Sequence, residues 1–339
     1  MADEIDVLKI LHDGTKAKVA KEDEADRGKA GSLRGGSGGW MSECGKYATG
    51  SCPRKAWARY RGYLLEDNTD KELMFSAGHL NEDGVCAVLD HSWPNYKREH
   101  EVPTCWTINI DSKVINVTGR PDIVLCNADG TLAHGLELKL ISSLWTALEV
   151  LHAPKVEHLI QAAHYSKQLN IQYTIVYSNR TNWALLSDFA LKKVPREGEP
   201  GSEVIEYETY TKKIKDGKKA KEITYRAGKV FKPFYRTYPM DWDEFGQVRF
   251  FNGQEWVTTF IDWNGIVRFY EFIAGMDKLG HCGPAPTPVD VHGDSKSFKL
   301  CSEKYCSMYS VCKGKKDLSL DIWESLCYNK HTEIMDGRK

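Results

Sequence analysis

Asp122, Glu137 and Lys139 are the residues whose types and spacing most directly suggest chemistry. Asp122 closes the turn Thr-Gly-Arg-Pro-Asp at 118–122, and Glu137 and Lys139 stand two apart in TLAHGLELKLIS, residues 131–142. That second stretch reads as a strand, so the two-residue alternation of a strand puts Glu137 and Lys139 on one face. Leu136, Leu138 and Leu140 take the opposite face, which is expected to meet the core. Residues 114–126 read as the strand before it, and Asn-Ala-Asp-Gly at 127–130 is a hairpin turn signal. Such a hairpin returns Asp122 toward the strand of Glu137 and Lys139. Carboxylate oxygens suit Mg2+ or Mn2+, and such an ion polarises a phosphoryl oxygen and lowers the pKa of bound water. A neighbouring lysine can hold the attacking water or offset developing negative charge. Glu-x-Lys alone describes an ordinary strand ion pair equally well, so its surroundings must decide.

The second group with chemical potential is a cluster of thiols. Ten cysteines occur in the chain, and three of them, Cys301, Cys306 and Cys312, fall within twelve residues. Clustered cysteines in a reducing compartment favour metal binding over a disulfide scaffold. Iron–sulfur and zinc sites usually take four ligands, so a fourth is wanted from elsewhere. Cys86, Cys105 and Cys126 fall in predicted core elements and are expected to be packing residues.

The elements that must position these groups follow from periodicity. Residues 73–93 predict a helix with Leu80 and Val88 among its apolar positions. Residues 101–110, 114–126 and 131–142 predict three strands. Residues 155–170 predict a helix with Val156, Leu159, Ile160 and Ala163 on one face, and 171–179 a buried strand. Helix, antiparallel strands, helix, strand describes a mixed α/β core. Residues 202–238 predict a hairpin turning at Asp216-Gly217, rich in lysine over 211–232. Residues 264–280 predict a further helix, stopped by the proline-rich 284–288. Residues 28–39 hold six glycines in twelve positions and predict a flexible linker after an acidic arm. The expected organisation is therefore an arm and linker over 1–39 and one domain over 40–339. Within that domain the core is expected at about 70–190, the hairpin insertion at about 202–238, and the C-terminal helix and cysteine cluster at about 264–312.

With Asp122, Glu137 and Lys139 in this setting, GRPD at 119–122 followed by ELK at 137–139 resembles the signature of the PD-(D/E)xK nucleases. Gln161-Ala-Ala-His-Tyr165 resembles the Gln-x-x-x-Tyr motif of the RecB-like exonuclease branch. Gly78-His-Leu-Asn-Glu82 resembles that family's first motif, with Glu82 in the place of an additional metal ligand and His79 a lesser candidate. Cys52, in Cys-Pro-Arg-Lys-Ala-Trp, resembles the first cluster cysteine of the AddB-type and CRISPR-associated members. The resemblance covers residues 52–180 and the cysteine tail, although the first gap in the tail is four residues where two is usual.

The resemblance implies a restriction-endonuclease-like core, a mixed sheet flanked by helices, with a C-terminal iron–sulfur staple. It implies that Glu82, Asp122 and Glu137 hold Mg2+ or Mn2+, that Lys139 assists the water, and that Gln161 and Tyr165 position the strand. It implies a 4Fe–4S cluster on Cys52, Cys301, Cys306 and Cys312, with Zn2+ the alternative. The implied activity is metal-dependent hydrolysis of DNA, exonucleolytic, in recombination, repair or phage DNA metabolism. Two alternatives stay open: a structure-specific endonuclease on the same site, and a catalytically silent DNA-binding subunit.

Several features bear on partners. Lys+Arg 46 against Asp+Glu 47 gives a net charge of −1, which excludes a globally basic nucleic-acid coat but not a local groove. Arg54, Lys55, Arg59 and Arg61 interleave with Trp57, Tyr60 and Tyr63. That pattern suits a grip on single-stranded DNA or, equally, an amphipathic helix with its aromatic side inward. The absence of a P-loop sequence assigns any helicase motor to a separate protein, a helicase or recombination partner. No apolar run approaches the ~18 residues of a membrane helix, and the acidic start lacks a secretory pattern. The expected location is the cytoplasm, that of the host if the gene is a phage's.

Overall fold

The computed structural model describes residues 14–15, 17–18, 21, 31–34, 39–44, 47–49, 52–63, 72–141, 144–179, 184–186, 205–216, 219–230, 235–280, 291–293, 309–312 and 319–336. In chain order, β1 (Ser32–Arg34), β2 (Gly39–Met41) and β3 (Tyr47–Thr49) precede α1 (Pro53–Tyr60) and α2 (Glu72–Ser92). Next come β4 (Tyr96–Arg98), β5 (Thr104–Ile110), β6 (Lys113–Gly119), β7 (Ile123–Cys126) and β8 (Leu132–Ile141). Helices α3 (Leu144–Glu149) and α4 (Val156–Leu169) lead to β9 (Gln172–Asn179) and β10 (Ala184–Leu186). Then follow β11 (Ile205–Asp216), β12 (Lys219–Val230), β13 (Tyr235–Trp242), β14 (Gln247–Phe251) and β15 (Trp256–Asp262). Helices α5 (Trp263–Ala274), α6 (Met276–Leu279), α7 (Tyr309–Cys312) and α8 (Leu320–Asp336) close the order.

The largest sheet has seven strands in the order β15-β14-β13-β9-β8-β7-β4. Only β8 and β9 run parallel within it; every other neighbouring pair is antiparallel. A parallel pair needs a crossover, and α4 supplies it. Val156, Leu159, Ile160 and Ala163 are buried on the face that their spacing assigns. Asn170 ends the helix in a left-handed conformation at φ 53°, a conformation that asparagine tolerates better than most residues. The protein is thus a mixed α/β structure in which helices flank mixed sheets.

Three departures from the sequence reading have physical causes. First, 114–126 is not one strand. It breaks at Arg120-Pro121-Asp122 into β6, in a three-stranded sheet β1-β6-β5, and β7, in the seven-stranded sheet. Proline cannot donate to a ladder, so the chain changes sheets there. Second, the glycine-rich 28–39 contains β1, paired parallel to β6 with Leu33 opposite Val117, and Leu33 is buried. At the end of this segment, a Cβ on Gly39 would overlap the Phe269 ring of α5. Glycine at this position permits close packing. Third, the sheet runs on past the expected core, because β13 pairs with β9 and carries β14 and β15 beyond it. The predicted hairpin 202–238 therefore ends as β11 and β12, and Tyr235–Trp242 belongs to the main sheet.

The large core lies between this sheet and helices α4 and α5, and a smaller cluster of Cys86, Ile123 and Leu138 lies under α2. Helix α2 forms as expected, yet Leu80 and Val88 are 61% and 58% exposed. Val85 and Leu89 do the packing instead. The predicted helix 264–280 is split at Gly275 into α5 and α6, and 284–288 lies outside the described residues.

Candidate active site

The β7–β8 hairpin is closed as its turn residues dictate. The Asn127 amide donates to the Thr131 carbonyl at 2.9 Å, and Gly130 takes φ 83°, which glycine adopts without a steric cost. Ile123 is in register with Leu136, so Asp122, just before β7, comes level with Glu137. There the Leu138 amide donates to Asp122 Oδ2 at 2.7 Å. Lys139 Nζ donates to Glu137 Oε1. The hairpin brings the three predicted residues together.

The face they occupy differs from expectation. Glu137 and Lys139 do share a face, but it is the one covered by α4, in register with Ile175 and Tyr177 of the large core. Leu136 and Leu138 face the smaller cluster under α2. Glu137 is 0% exposed, and its second oxygen, Oε2, has no hydrogen-bond partner. Lys139 retains 23% exposure. A buried carboxylate with one oxygen unmatched is costly.

The electrostatics follow from that burial. Burial first, and the Asp122 charge second, push the Glu137 carboxyl up to about 8. Burial also raises Asp122, against the opposing pull of Lys139 and of the Leu138 amide. Glu82, half-buried on α2, is raised by burial and then by Asp122, and His79 Nδ1 lies 3.5 Å from its Oε2. Lys139 loses to burial but gains more from Glu137 and then Asp122, ending at about 12. Three carboxylates therefore feel one another, with one ammonium to offset them. Among the described residues no three His, Cys, Asp or Glu side chains already form a ligating group. The unmatched Glu137 oxygen and the hard-oxygen donor set fit a divalent cation.

Tyr165 and Gln161 are placed beside this site by α4, but Tyr165 does not face a strand-binding surface. It is 2% exposed, and its hydroxyl accepts from the Arg120 amide at 3.3 Å. A Cβ on Gly119 would come within 2.5 Å of its ring. Tyr165 thus props the turn that presents Asp122. Gln161 is half-buried one turn earlier. The sequence reading missed His158, which precedes Gln161 by three residues on the same helix. Its Nδ1 lies 2.9 Å from the Tyr177 hydroxyl, and burial followed by Lys139 holds the ring well below its usual range. The i, i+3, i+7 spacing of His158, Gln161 and Tyr165 was a signal for it. His164 is buried with both ring nitrogens unpartnered, among Trp106, Trp263 and Tyr270. Burial pushes it down to about 3.

The aromatic and basic residues after Cys52 are largely used in packing. Trp57 is fully buried, and its Nε1 donates to Asp277 Oδ1 at 2.9 Å. Arg61 pairs with Asp277 and Glu324, and the Tyr63 hydroxyl donates to Glu324 at 3.1 Å. Arg54 is buried. This seam fixes α1 to α6 and to α8, and for Trp57 it decides between the two readings of this stretch in favour of the amphipathic helix with its aromatic side inward.

Of the four cysteines expected to act together, Cys52 stands at the N-cap position of α1, with no side-chain capping bond, and is half-buried. Cys312 is buried at the end of α7, which packs on α8. Cys301 and Cys306 lie outside the described residues. The contacts of Arg61 and Tyr63 with Glu324 join α8 to the C-terminal end of α1, opposite the end at which Cys52 stands. Cys86 and Cys126 are buried, as packing residues would be, but Cys105 is exposed and is not one. Cys105 stands at an exposed position of β5, whose inward positions are Thr104 and Ile108.

No helix among the described residues is long and apolar enough to cross a membrane. No protein-family model matches the chain, and no curated protein matches it. Among solved structures, a crystal structure of SSO0001 aligns with 92% of this chain and 98% of its own at 16% identity, with a TM-score of 0.40.

Proposed function

We propose that the protein is a metal-dependent phosphodiesterase acting on DNA, an exonuclease of the PD-(D/E)xK type with a restriction-endonuclease-like core. One observation carries this reading: Glu137 is sequestered opposite Asp122 with one oxygen on Lys139 and the other unmatched. A strand ion pair kept only for stability has no use for a second buried carboxylate at the same level. A site built to receive a divalent cation does.

Asp122 and Glu137, with Glu82 completing the set from α2, would hold Mg2+ or Mn2+. When bound, that ion supplies a polarised phosphoryl oxygen and a more acidic water. Lys139, protonated and partly exposed, orients the attacking oxygen and offsets charge developing on the phosphoryl group. The Leu138 amide fixes the Asp122 rotamer, and Tyr165 fixes the turn that carries it. His158 stays neutral beside Lys139 and adds no competing positive charge.

The tail is read as a staple, with Cys52, Cys301, Cys306 and Cys312 as ligands of an iron–sulfur cluster. Ligation across such a separation is also folding energy. Protein purified without air should be brown and should lose its colour on Cys52→Ala or Cys312→Ala but not on Cys126→Ala. About one zinc and no iron per chain would replace the cluster with a zinc staple.

The activity is tested with end-labelled single- and double-stranded DNA in Mg2+, Mn2+ or EDTA. Stepwise shortening that needs the metal is the expected result. Internal cuts at junctions would favour the endonuclease reading, and DNA binding without cleavage in either metal would favour the silent subunit.

A further inference from the structure

Strands β11 and β12 form an unbroken antiparallel ribbon, registered from Ile205 opposite Val230 to Asp216 opposite Lys219. Twelve residues per strand make it roughly 40 Å long. Its third strand, β10, pairs only with Arg226–Gly228. Beyond that footprint, toward the turn, the ribbon is two-stranded among the described residues. Two-stranded ribbons are marginal in water by themselves, so this length calls for a use.

Charge is distributed unevenly along it. Residues 211–222, around the turn, hold six lysines, at 212, 213, 215, 218, 219 and 221, against Asp216 and Glu222. The opposite end carries Glu206 and Glu208. Register places Lys213 opposite Glu222 and Lys219 opposite Asp216. Lys212, Lys215 and Lys221 are instead registered opposite Ile223, Ala220 and Ile214. A ribbon that needed its lysines only for solubility could mix both signs to the tip, as it does elsewhere.

The ribbon is tied to the candidate active site through α3. That helix follows Ile141, two residues after Lys139, and lies against both β8 and β12. We infer that the turn-side halves of the two strands, residues 211–216 of β11 and 219–222 of β12, form a phosphate-backbone grip that holds the nucleic-acid substrate outside the site, independently of sequence. The inference rests on the nuclease reading for its choice of polyanion. A polyanion of regular spacing matches a row of cations spread over the roughly 20 Å of ribbon nearest the turn. An acidic protein face or an anionic membrane offers the same charge, and each is an outcome of the test.

The variant is the full chain with Lys212→Gln, Lys215→Gln and Lys221→Gln together. Its folding is checked by thermal melting, and the matching Lys→Arg variant keeps the charge. Binding is measured to a DNA of about 30 nucleotides across a salt series. Hydrolysis of bis(p-nitrophenyl) phosphate with Mn2+ reports the site without the grip. The Gln variant should bind DNA ~100-fold more weakly, with a salt slope lower by about 2, whereas the Arg variant binds as wild type. Both should hydrolyse the small diester at the wild-type rate. Unchanged DNA affinity and slope in the Gln variant would overturn the inference. So would loss of binding to phosphatidylserine vesicles, or to a polyglutamate peptide, while DNA binding stays intact. If no form hydrolyses either substrate, the nuclease reading fails, yet lost DNA binding in the Gln variant alone would still uphold the grip.

Discussion

Two hairpins of this protein use lysine in opposite ways. In β7–β8 both strands have a neighbour on each side, and Lys139 is held against a fully buried Glu137. In β11–β12 the strands near the turn have only each other among the described residues, and three lysines are registered opposite uncharged residues. The first hairpin makes its charge expensive and therefore specific, because a buried ion tolerates few partners. The second spreads charge along a strand pair where the number of cations matters more than the place of any one. Position within a sheet, more than residue type, separates a site from a surface.

The comparison breaks most visibly at Glu137. Glu137→Gln keeps the shape and removes the charge, and it should lower DNA hydrolysis more than ~1,000-fold. Because the unmatched carboxylate is lost as well, the melting temperature in EDTA should hold or rise. If Glu137→Gln melts lower and cleaves normally, the hairpin carries only a structural ion pair.

The next largest effect belongs to the props of the same hairpin. Tyr165→Phe removes the acceptor of the Arg120 amide, at a cost of about 0.5–1.5 kcal/mol. Hydrolysis should slow about 10- to 100-fold as Asp122 loses its position. Gly119→Ala forces a Cβ against the Tyr165 ring and should cost about 1–3 kcal/mol. Denaturant melts separate these from a direct DNA contact, which would change binding and leave stability alone.

Stability against pH reads the two sides of α4. His164 is pushed from 6.5 to about 3 in the fold, so its contribution is complete above 6.5 and is lost progressively as pH falls toward 3. Glu137 is raised from 4.5 to about 8, so in metal-free protein its contribution is complete below 4.5 and is lost as pH rises through 8. Melting temperature in EDTA should therefore fall on both sides. His164→Phe should flatten the acid limb and Glu137→Gln the alkaline one. Limbs that survive both changes would assign the pH dependence to other groups.

The smallest effect sharpens the contrast. Lysine-to-glutamine changes at 212, 215 and 221 should shift stability by no more than about 0.5 kcal/mol each, the range of ordinary surface substitutions. A larger loss at any of them would mean that the ribbon uses that lysine as β8 uses Lys139.

Much of this was legible in the sequence where local rules and tertiary demands agree. Helix α4 was, because Val156, Leu159, Ile160 and Ala163 repeat at helical spacing and its crossover needs that face buried. The Asn127–Gly130 turn was, and with it the meeting of Asp122, Glu137 and Lys139. The side of the sheet was not. Alternating leucines on β8 look like the inward face, and only the presence of helices on both sides makes the charged face the more deeply buried one. The break at Pro121 was visible as a residue that cannot donate to a ladder, but 114–126 is apolar enough on either side to read as one strand. The strands β13 to β15 were missed because they join the sheet through the pairing of β13 with β9, which is set by distant chain. Tyr165 was found by motif and its contact was not, since a hydroxyl's partner depends on which turn the fold lays over it.

Titration of Mn2+ into metal-free protein, followed by calorimetry, tests the central claim most directly. Wild type should bind at a site that depends on Glu137 and gains affinity as pH rises from 6 toward about 8, because the ion must displace a proton from that carboxyl. Glu137→Gln should lose this binding, while Cys126→Ala keeps it. Equal Mn2+ affinity in wild type and Glu137→Gln, unchanged with pH, would contradict the account.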